Sequence, residues 1–261
     1  MSSSPAAPRP VALVTGGAKR LGRAISLELA AHGFDVAVHY RGSQAEALAI
    51  VAELQSLGAA AFAFQADLAE EAACRALVPA VAAHFKRIDA VVNNASTFEY
   101  DNPETFSSAA MDKHWRANTA PAVLLAQALH RHLNGCAEIG CVVNIIDQKL
   151  WNPNPDYFSY TLSKAALQAA TVMLAQALAP QVRVCGVAPG VTLVSGPMND
   201  TEFAAAHQMT PLKRSSTPED IARAVRFLIE SPAITGTTLL VDGGQHLAAQ
   251  PRDVLYLAKN S

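Results

Sequence analysis

The sequence predicts an α/β protein built on one doubly wound parallel sheet of seven strands with helices on both faces. Short apolar runs alternate with helical patterns from Val11 to Val241, the order of successive βαβ units. No linker, repeat or low-complexity stretch interrupts the alternation. Several of the runs end in Gly, Asn, Asp or Pro, at the carboxyl edge where an open parallel sheet binds its ligands.

Composition narrows the function classes. The 261 residues suffice for one large domain, expected over 10–261, with residues 1–9 as a disordered lead-in. Twenty Lys and Arg stand against 22 Asp and Glu, a net charge of −2, which leaves no electrostatic footprint for nucleic acid. No apolar run reaches the roughly 20 residues of a membrane span, and the N-terminus has neither an apolar nor an Arg-rich targeting pattern, so a cytoplasmic location is expected. Cys74, Cys136, Cys141 and Cys185 lack metal-ligand spacing and read as small core residues. His130 and His132 are too close to share a helix face, and no metal is expected.

The first strand, Val11 to Thr15, breaks into Gly16-Gly17-Ala18-Lys19-Arg20-Leu21-Gly22 and a helical pattern to His32. Strand, glycine turn and helix form a phosphate cradle: glycines let the backbone come close, and the helix start offers free N–H groups and a positive dipole end. The second strand, Asp35 to His39, ends in Tyr40-Arg41-Gly42-Ser43. An acid here would accept from a ribose 2′-hydroxyl, whereas cations welcome a 2′-phosphate. Arg41 and Arg20 supply the cations and Ser43 a hydrogen-bond donor, so NADPH is favoured over NADH.

A helix from about Ser43 to Leu57 leads to a third strand, Ala60 to Gln65, followed by Asp67-Leu68. A helix over roughly Glu70 to Phe85 precedes the fourth strand, Ala90 to Val92. That strand ends in Asn93-Asn94-Ala95-Ser96, small polar residues beside which a ring system fits, and Phe98 is either a loop plug or a stacking surface. An interrupted helix follows from Phe106, then another from Arg116 to Leu133. Two readings stay open for it: Pro121 frees a carbonyl near Asn118 that holds a water, or Pro121 marks a helix start capped by Asn118 or Thr119.

The fifth strand ends at Asp147, and Asp156-Tyr157-Phe158-Ser159-Tyr160 opens a long helix. Tyr160 and Lys164, four apart, project from one face. The ordinary pKa of a phenol is about 10, and a neighbouring ammonium is expected to lower it and make a general acid. Ala165 to Pro180 carries no charge, so its outer face is expected to meet a second subunit in a homo-oligomer, taken to be a tetramer. Val182 to Ala188 is the sixth strand, ending in Pro189-Gly190-Val191-Thr192. Residues 193–216 lack clear periodicity and are expected to be a substrate lid. Thr217-Pro218-Glu219-Asp220 starts a helix, and Thr237 to Val241 is the seventh strand. In the tail, 245–261, Val254-Leu255-Tyr256-Leu257 is an apolar segment able to dock on a neighbouring subunit.

From Val11 to Gly244 the chain resembles the short-chain dehydrogenase/reductase family, with its Rossmann fold. The motifs are the glycine turn, Asp67-Leu68, Asn93-Asn94-Ala95, Asn118, Tyr160-x-x-x-Lys164 and Pro189-Gly190. The resemblance implies that Tyr160 donates a proton, that Lys164 holds the nicotinamide ribose and lowers the Tyr160 pKa, that Asn118 positions a relay water, and that Asn94 and Ala95 lie along the cofactor. Most members place a serine where Asp147 stands and a small residue where Arg20 stands. Those departures, with His39-Tyr40-Arg41-x-Ser43, Ser96 and Phe98, resemble the pteridine reductase branch, in which the positions of Tyr157 and Thr192 lie near the pterin and a cofactor phosphate. The branch often carries its arginine one residue after Arg41. A carboxylate accepts from pterin ring N–H groups and supports protonation of an imine nitrogen, neither of which a serine does. The implied reaction is hydride transfer from NADPH to a dihydropterin. The pterin would lie among Ser96, Phe98, Asp147, Tyr157 and Tyr160. The rival expectation is reduction of a keto compound such as a 3-oxoacyl thioester.

Overall fold

A computed structural model describes residues 8–194 and 198–258. Seven strands form one fully parallel sheet in the order β3-β2-β1-β4-β5-β6-β7: β1 Val11–Val14, β2 Asp35–Tyr40, β3 Ala61–Gln65, β4 Ala90–Asn93, β5 Gly140–Ile145, β6 Val182–Pro189 and β7 Thr238–Val241. The chain reverses its direction of growth between β3 and β4, so β1 and β4 lie side by side, with Val14 opposite Val92. Their carboxyl ends open the crevice of a doubly wound sheet.

Because side chains alternate along a strand, each inner strand feeds two cores. Ala12 and Val14 point to a layer made with α1 (Arg20–Ala31), α2 (Gln44–Ser56) and α8 (Pro218–Glu230), which contribute Ile25, Leu29, Ile50, Leu54, Ile221 and Val225. Val11 and Leu13 point to the opposite layer, where α3 (Glu71–Phe85) and α5 (Ala120–Leu133) contribute Leu77, Val81, Leu125 and Leu129, and α6 (Phe158–Ala177) contributes Ala175. Cys74, Cys141 and Cys185 are buried as expected, but Cys136 is exposed in the loop before β5.

The helical segment before α5 is continuous. Helix α4 (Ser108–His114), capped by Ser107, runs into a π-turn at Trp115–Thr119 and then into α5, whose first turn contains Pro121. Pro121 falls within two residues of the π-turn, where the α-helical bond register is already interrupted, and Thr119 makes no side-chain cap. The expected lid contains a helix that its sparse periodicity hid: α7 (Asp200–Gln208) starts with a capping box between Asn199 and Glu202. A third, smaller cluster joins α7 to the tail helix α9 (Val254–Leu257), packing Met198, Ala206, Val254, Leu255 and Ala258 against Tyr157 and Tyr160.

The lead-in is ordered at Arg9, whose guanidinium donates to the carbonyls of Ala30, Phe34 and Gly58; residues 1–7 lie outside the described residues. Among the described residues no helix is long and apolar enough to cross a membrane, and no group of three or more His, Cys, Asp or Glu is placed to hold a metal ion.

Candidate active site

At the end of β1, Gly16 adopts φ +61°, the left-handed conformation that glycine tolerates. Thr15 Oγ1 accepts from the N–H groups of Asn94 (2.9 Å) and Ala95 (3.0 Å), and Asn94 Nδ2 donates to the Thr15 carbonyl (2.9 Å). The glycine turn is thereby bonded to the end of β4. A Cβ on Gly22 would overlap the Gly16 carbonyl and the Asn94 side chain, so α1 starts this close to the turn only with glycine there.

His39, at the end of β2, braces the same turn. Its Nδ1 accepts from the Gly16 N–H (3.1 Å), so Nε2 carries the proton and donates to the Ala66 carbonyl (3.0 Å). Burial pushes the imidazole pKa below its ordinary 6.5, against smaller opposing effects of the Ala66 carbonyl and Asp67.

A groove of about 530 Å³ runs over these strand ends, lined by Gly16, Arg20, Leu21, Gly22, His39, Tyr40, Arg41, Ser43, Asp67, Leu68, Asn94, Ala95 and Ser96. Every residue expected at the dinucleotide's glycine turn, β2 end and β4 end is in this lining. Lys19 pairs with Glu46, whereas among the described residues neither Arg20 nor Arg41 pairs with a carboxylate. Arg20 reaches across to donate to the Val194 carbonyl (2.9 Å). No acid stands at the end of β2 to accept from a ribose hydroxyl.

The groove opens into a second cavity of about 290 Å³, which shares Arg20, Leu21, Asn94 and Ser96 and adds Phe98, Asp147, Tyr160, Lys164, Pro189, Gly190 and Thr192. Here Tyr160 donates its hydroxyl to Asp147 Oδ2 (2.8 Å), and the Lys149 N–H donates to Asp147 Oδ1 (2.8 Å). Lys164 donates to the Ile145 carbonyl (2.8 Å) at the end of β5. Thr192 donates to the Gly190 carbonyl (2.9 Å) and its hydroxyl meets that of Ser216 at 2.6 Å.

The electrostatics correct one expectation. The Tyr160 phenol lies well above its ordinary pKa, because it is buried and because the charge nearest its oxygen is the Asp147 carboxylate. The Lys164 ammonium lies 5.7 Å from the Tyr160 ring centre and bonds elsewhere, and burial lowers its own pKa to about 8. Burial raises the Asp147 carboxyl above the ordinary carboxylate value, opposed by the Lys149 N–H and the Tyr160 hydroxyl. The phenol and the carboxyl therefore form one coupled proton-holding pair.

Two expected site residues do not line the cavity. Tyr157 is buried behind Phe98, ring on ring at 4.0 Å and 14°, so it backs the aromatic wall. Phe98 thus has one face covered, and it meets the Tyr160 ring nearly at right angles, centres 4.7 Å apart. The Asn118 amide is saturated by protein: Oδ1 accepts from the Thr97 N–H (2.7 Å) and the Ser96 hydroxyl (3.1 Å), and Nδ2 donates to the Thr97 carbonyl (3.0 Å) and Ser163 Oγ (2.9 Å). A carboxamide offers two donors and two lone pairs, so the four bonds use the whole side chain. The side chain ties the β4 loop to α6.

Residues that sequence reasoning did not place in the site are Gln148, Lys149, Gln245, Asp253, Val254 and Leu255, all on the wall of the second cavity. The apolar tail segment was visible in the sequence, but it docks on its own chain, against Tyr157, Tyr160 and α7. Residues 195–197 of the expected lid lie outside the described residues.

Comparison with known proteins matches residues 16–246 to the family described as enoyl-(acyl carrier protein) reductase. Pteridine reductase 1 of Leishmania tarentolae is 35% identical, covering 95% of this chain and 99% of that protein. The 3-oxoacyl-[acyl-carrier-protein] reductase FabG of Staphylococcus epidermidis is 31% identical, covering 90% and 98%. Among solved structures, FolM alternative dihydrofolate reductase 1 of Brucella canis, complexed with NADP, superposes with a TM-score of 0.86 at 41% identity, covering 94% of this chain and 97% of that one.

Proposed function

The chain belongs to the short-chain dehydrogenase/reductase family and is an oxidoreductase, and from that premise we propose that it is an NADPH-dependent pteridine reductase converting a 7,8-dihydropterin to the tetrahydropterin. The observation that carries the reading is the Asp147 carboxylate bonded to the Tyr160 hydroxyl at the cavity floor. A ketone oxygen needs only a hydrogen-bond donor and the phenol proton, which a serine beside the tyrosine serves without an acid. An imine nitrogen being reduced takes up a proton, which an acid–phenol pair supplies.

The groove fits NADP. The glycine turn at the start of α1 would cradle a pyrophosphate, in a close packing of turn and helix that a Cβ at Gly22 would break, and Arg20, Arg41 and Ser43 line the groove where a 2′-phosphate would lie. Asp67 and Leu68 lie along the adenine end, and Asn94, Ala95, Pro189, Gly190 and Thr192 along the nicotinamide end. When bound, NADPH supplies the hydride. The Lys164 ammonium would hold the ribose hydroxyls, and the outer part of Phe98 would hold the flat pterin beside the cofactor. With hydride delivered to carbon 6, Tyr160 would give its proton to nitrogen 5 and take one from Asp147. The carbon–nitrogen double bond is reduced, and the pair is left one proton short, to be restored from solvent.

The FabG relative favours a second reading, reduction of a 3-oxoacyl thioester. NADPH oxidation measured with dihydrobiopterin or dihydromonapterin and with acetoacetyl thioesters separates the two. Turnover of the pterins is expected; turnover of the thioesters alone would overturn the assignment. Leu162, Val172 and Met173 on the outer face of α6, with Trp115 beside it, are exposed apolar side chains, and this face suits the contact of a homotetramer, which sedimentation would show. The reduced core cysteines suit a cytoplasmic enzyme.

A further inference from the structure

The C-terminal segment closes the substrate cavity from its own chain through one buried ion pair. Lys149 stands two residues past Asp147, in a 3-10 turn at Gln148–Trp151 whose cap is Asp147 itself. Its ammonium, with a side chain only 5% exposed, bonds Asp253 Oδ2 at 2.9 Å and the Asp156 carbonyl. The Asp156 carboxylate accepts in turn from the Asp253 N–H (2.7 Å) and Arg252 Nε (2.7 Å). A short chain of bonds therefore runs from the tail to the acid: Asp253 holds the Lys149 ammonium, and the Lys149 N–H holds Asp147 Oδ1.

We propose that Asp253 is a positioning residue for Asp147, acting through Lys149, so that the tail completes the reductase site of its own subunit. The proposal rests on the reading of Asp147 as half of the proton-donating pair. Two features separate it from simple packing. Asp253 lies on the cavity wall, beside Val254 and Leu255, which pack on Tyr157 and Tyr160. A buried ammonium also needs its counter-ion, and the nearest carboxylate oxygen comes from a residue 104 positions away in sequence. The charged and titratable groups bearing on Asp147 are Tyr160 and Lys164 of α6, Lys149 of the turn, and Asp253 of the tail. Asp253 raises the proton affinity of both Asp147 and Tyr160.

The test is Asp253→Asn, with Asp253→Glu as the conservative variant and NADPH affinity by fluorescence as the control for folding. Asp253→Asn is expected to lower kcat for the dihydropterin about tenfold, the scale of a sub-ångström misplacement, and to leave NADPH affinity unchanged. It should also move the kcat limb on which Asp147 loses its proton toward acid by about half a unit or more, because an anion is removed and Lys149 is left uncompensated. Asp253→Glu should recover most of both. A kcat and pH profile equal to those of the unaltered protein would overturn the proposal. Should Asp253→Asn fail to bind NADPH, the double replacement Lys149→Met/Asp253→Leu takes its place, since removing both charges strands neither. It is expected to bind NADPH and lose kcat, and unchanged kcat would overturn the proposal. If the unaltered protein reduces only oxoacyl thioesters, the pterin reading falls, and the same variants measured on that substrate still decide the role of Asp253.

Discussion

The Tyr160 hydroxyl lies 2.8 Å from Asp147 Oδ2, and both groups are harder to ionise than usual, Asp147 through burial and Tyr160 through burial and the Asp147 carboxylate. A lone phenol with its pKa pushed up is a poor acid, yet paired with a carboxyl that is also pushed up it becomes the outer end of a two-step relay. Once Asp147 is ionised, proton loss from Tyr160 would set two anions side by side. Turnover of a dihydropterin is therefore expected to fall about tenfold per pH unit above the folded pKa of Asp147, which burial has moved up from 3.8. Asp147→Asn or Asp147→Ser should remove that limb and lower kcat about 100-fold or more. Steady-state rates across pH 4 to 9 check both.

Lys164 offers a separate test. Its ammonium is buried with one carbonyl partner, and its pKa is lowered to about 8. A folded state that binds its proton less tightly than the unfolded chain gains stability as pH rises from about 8 toward 10.5. At neutral pH the charge is thus held at a cost to stability. Lys164→Met is expected to abolish turnover while Tm stays level or rises, measured by calorimetry.

Cofactor choice is expected to follow Arg20 and Arg41. Arg20→Ala or Arg41→Ala should weaken NADPH binding by about tenfold or more, since hydrogen bonds to charged groups contribute about 1.5–3 kcal/mol. NADH affinity should change little. Titration of intrinsic fluorescence with each nucleotide gives the ratio directly.

His39 makes the glycine turn sensitive to acid. Its Nδ1 accepts from Gly16 only while unprotonated, and its folded pKa lies below 6.5. The stabilisation is therefore fully present above about pH 6.5 and is lost as pH falls through the folded value. NADPH affinity is expected to decline along that range in the unaltered protein. His39→Phe, which cannot accept, should show the weakened affinity at every pH.

Gly22→Ala tests the cradle by geometry alone. The added carbon would overlap the Gly16 carbonyl, so a destabilisation of about 1–3 kcal/mol is expected, together with loss of NADPH binding. Urea unfolding and nucleotide titration read the two effects.

Most of the fold was legible because each strand is a compact apolar run with a chemically distinctive end. Val11 to Thr15 followed by glycines, and Val142 to Ile146 followed by Asp147, announce both their secondary structure and their edge of the sheet. Helix α7 was not read, although Asn199 and Glu202 have capping-box spacing, because the segment's mean amphipathicity is slight and its flanks are rich in Thr and Pro. The Tyr160–Lys164 spacing gave the shared helix face correctly but not the electrostatics. Those depend on where Asp147 arrives from another strand, and periodicity carries no information about such contacts. The sequence puts Tyr157 beside the pterin, whereas its ring backs Phe98, a distinction set by packing behind the cavity wall. Asp253 was out of reach for the same reason.

The third apolar cluster separates two tasks within one chain. Helices α7 and α9 bury their apolar sides on each other, on Tyr157 and on Tyr160, and contribute to neither layer of the sheet. The nucleotide groove is fastened instead to β1, β2 and β4. Mutations that reshape the roof over the reactant can accumulate without loosening the grip on the electron carrier. A protein assembled this way is free to change what it reduces while keeping what it reduces with.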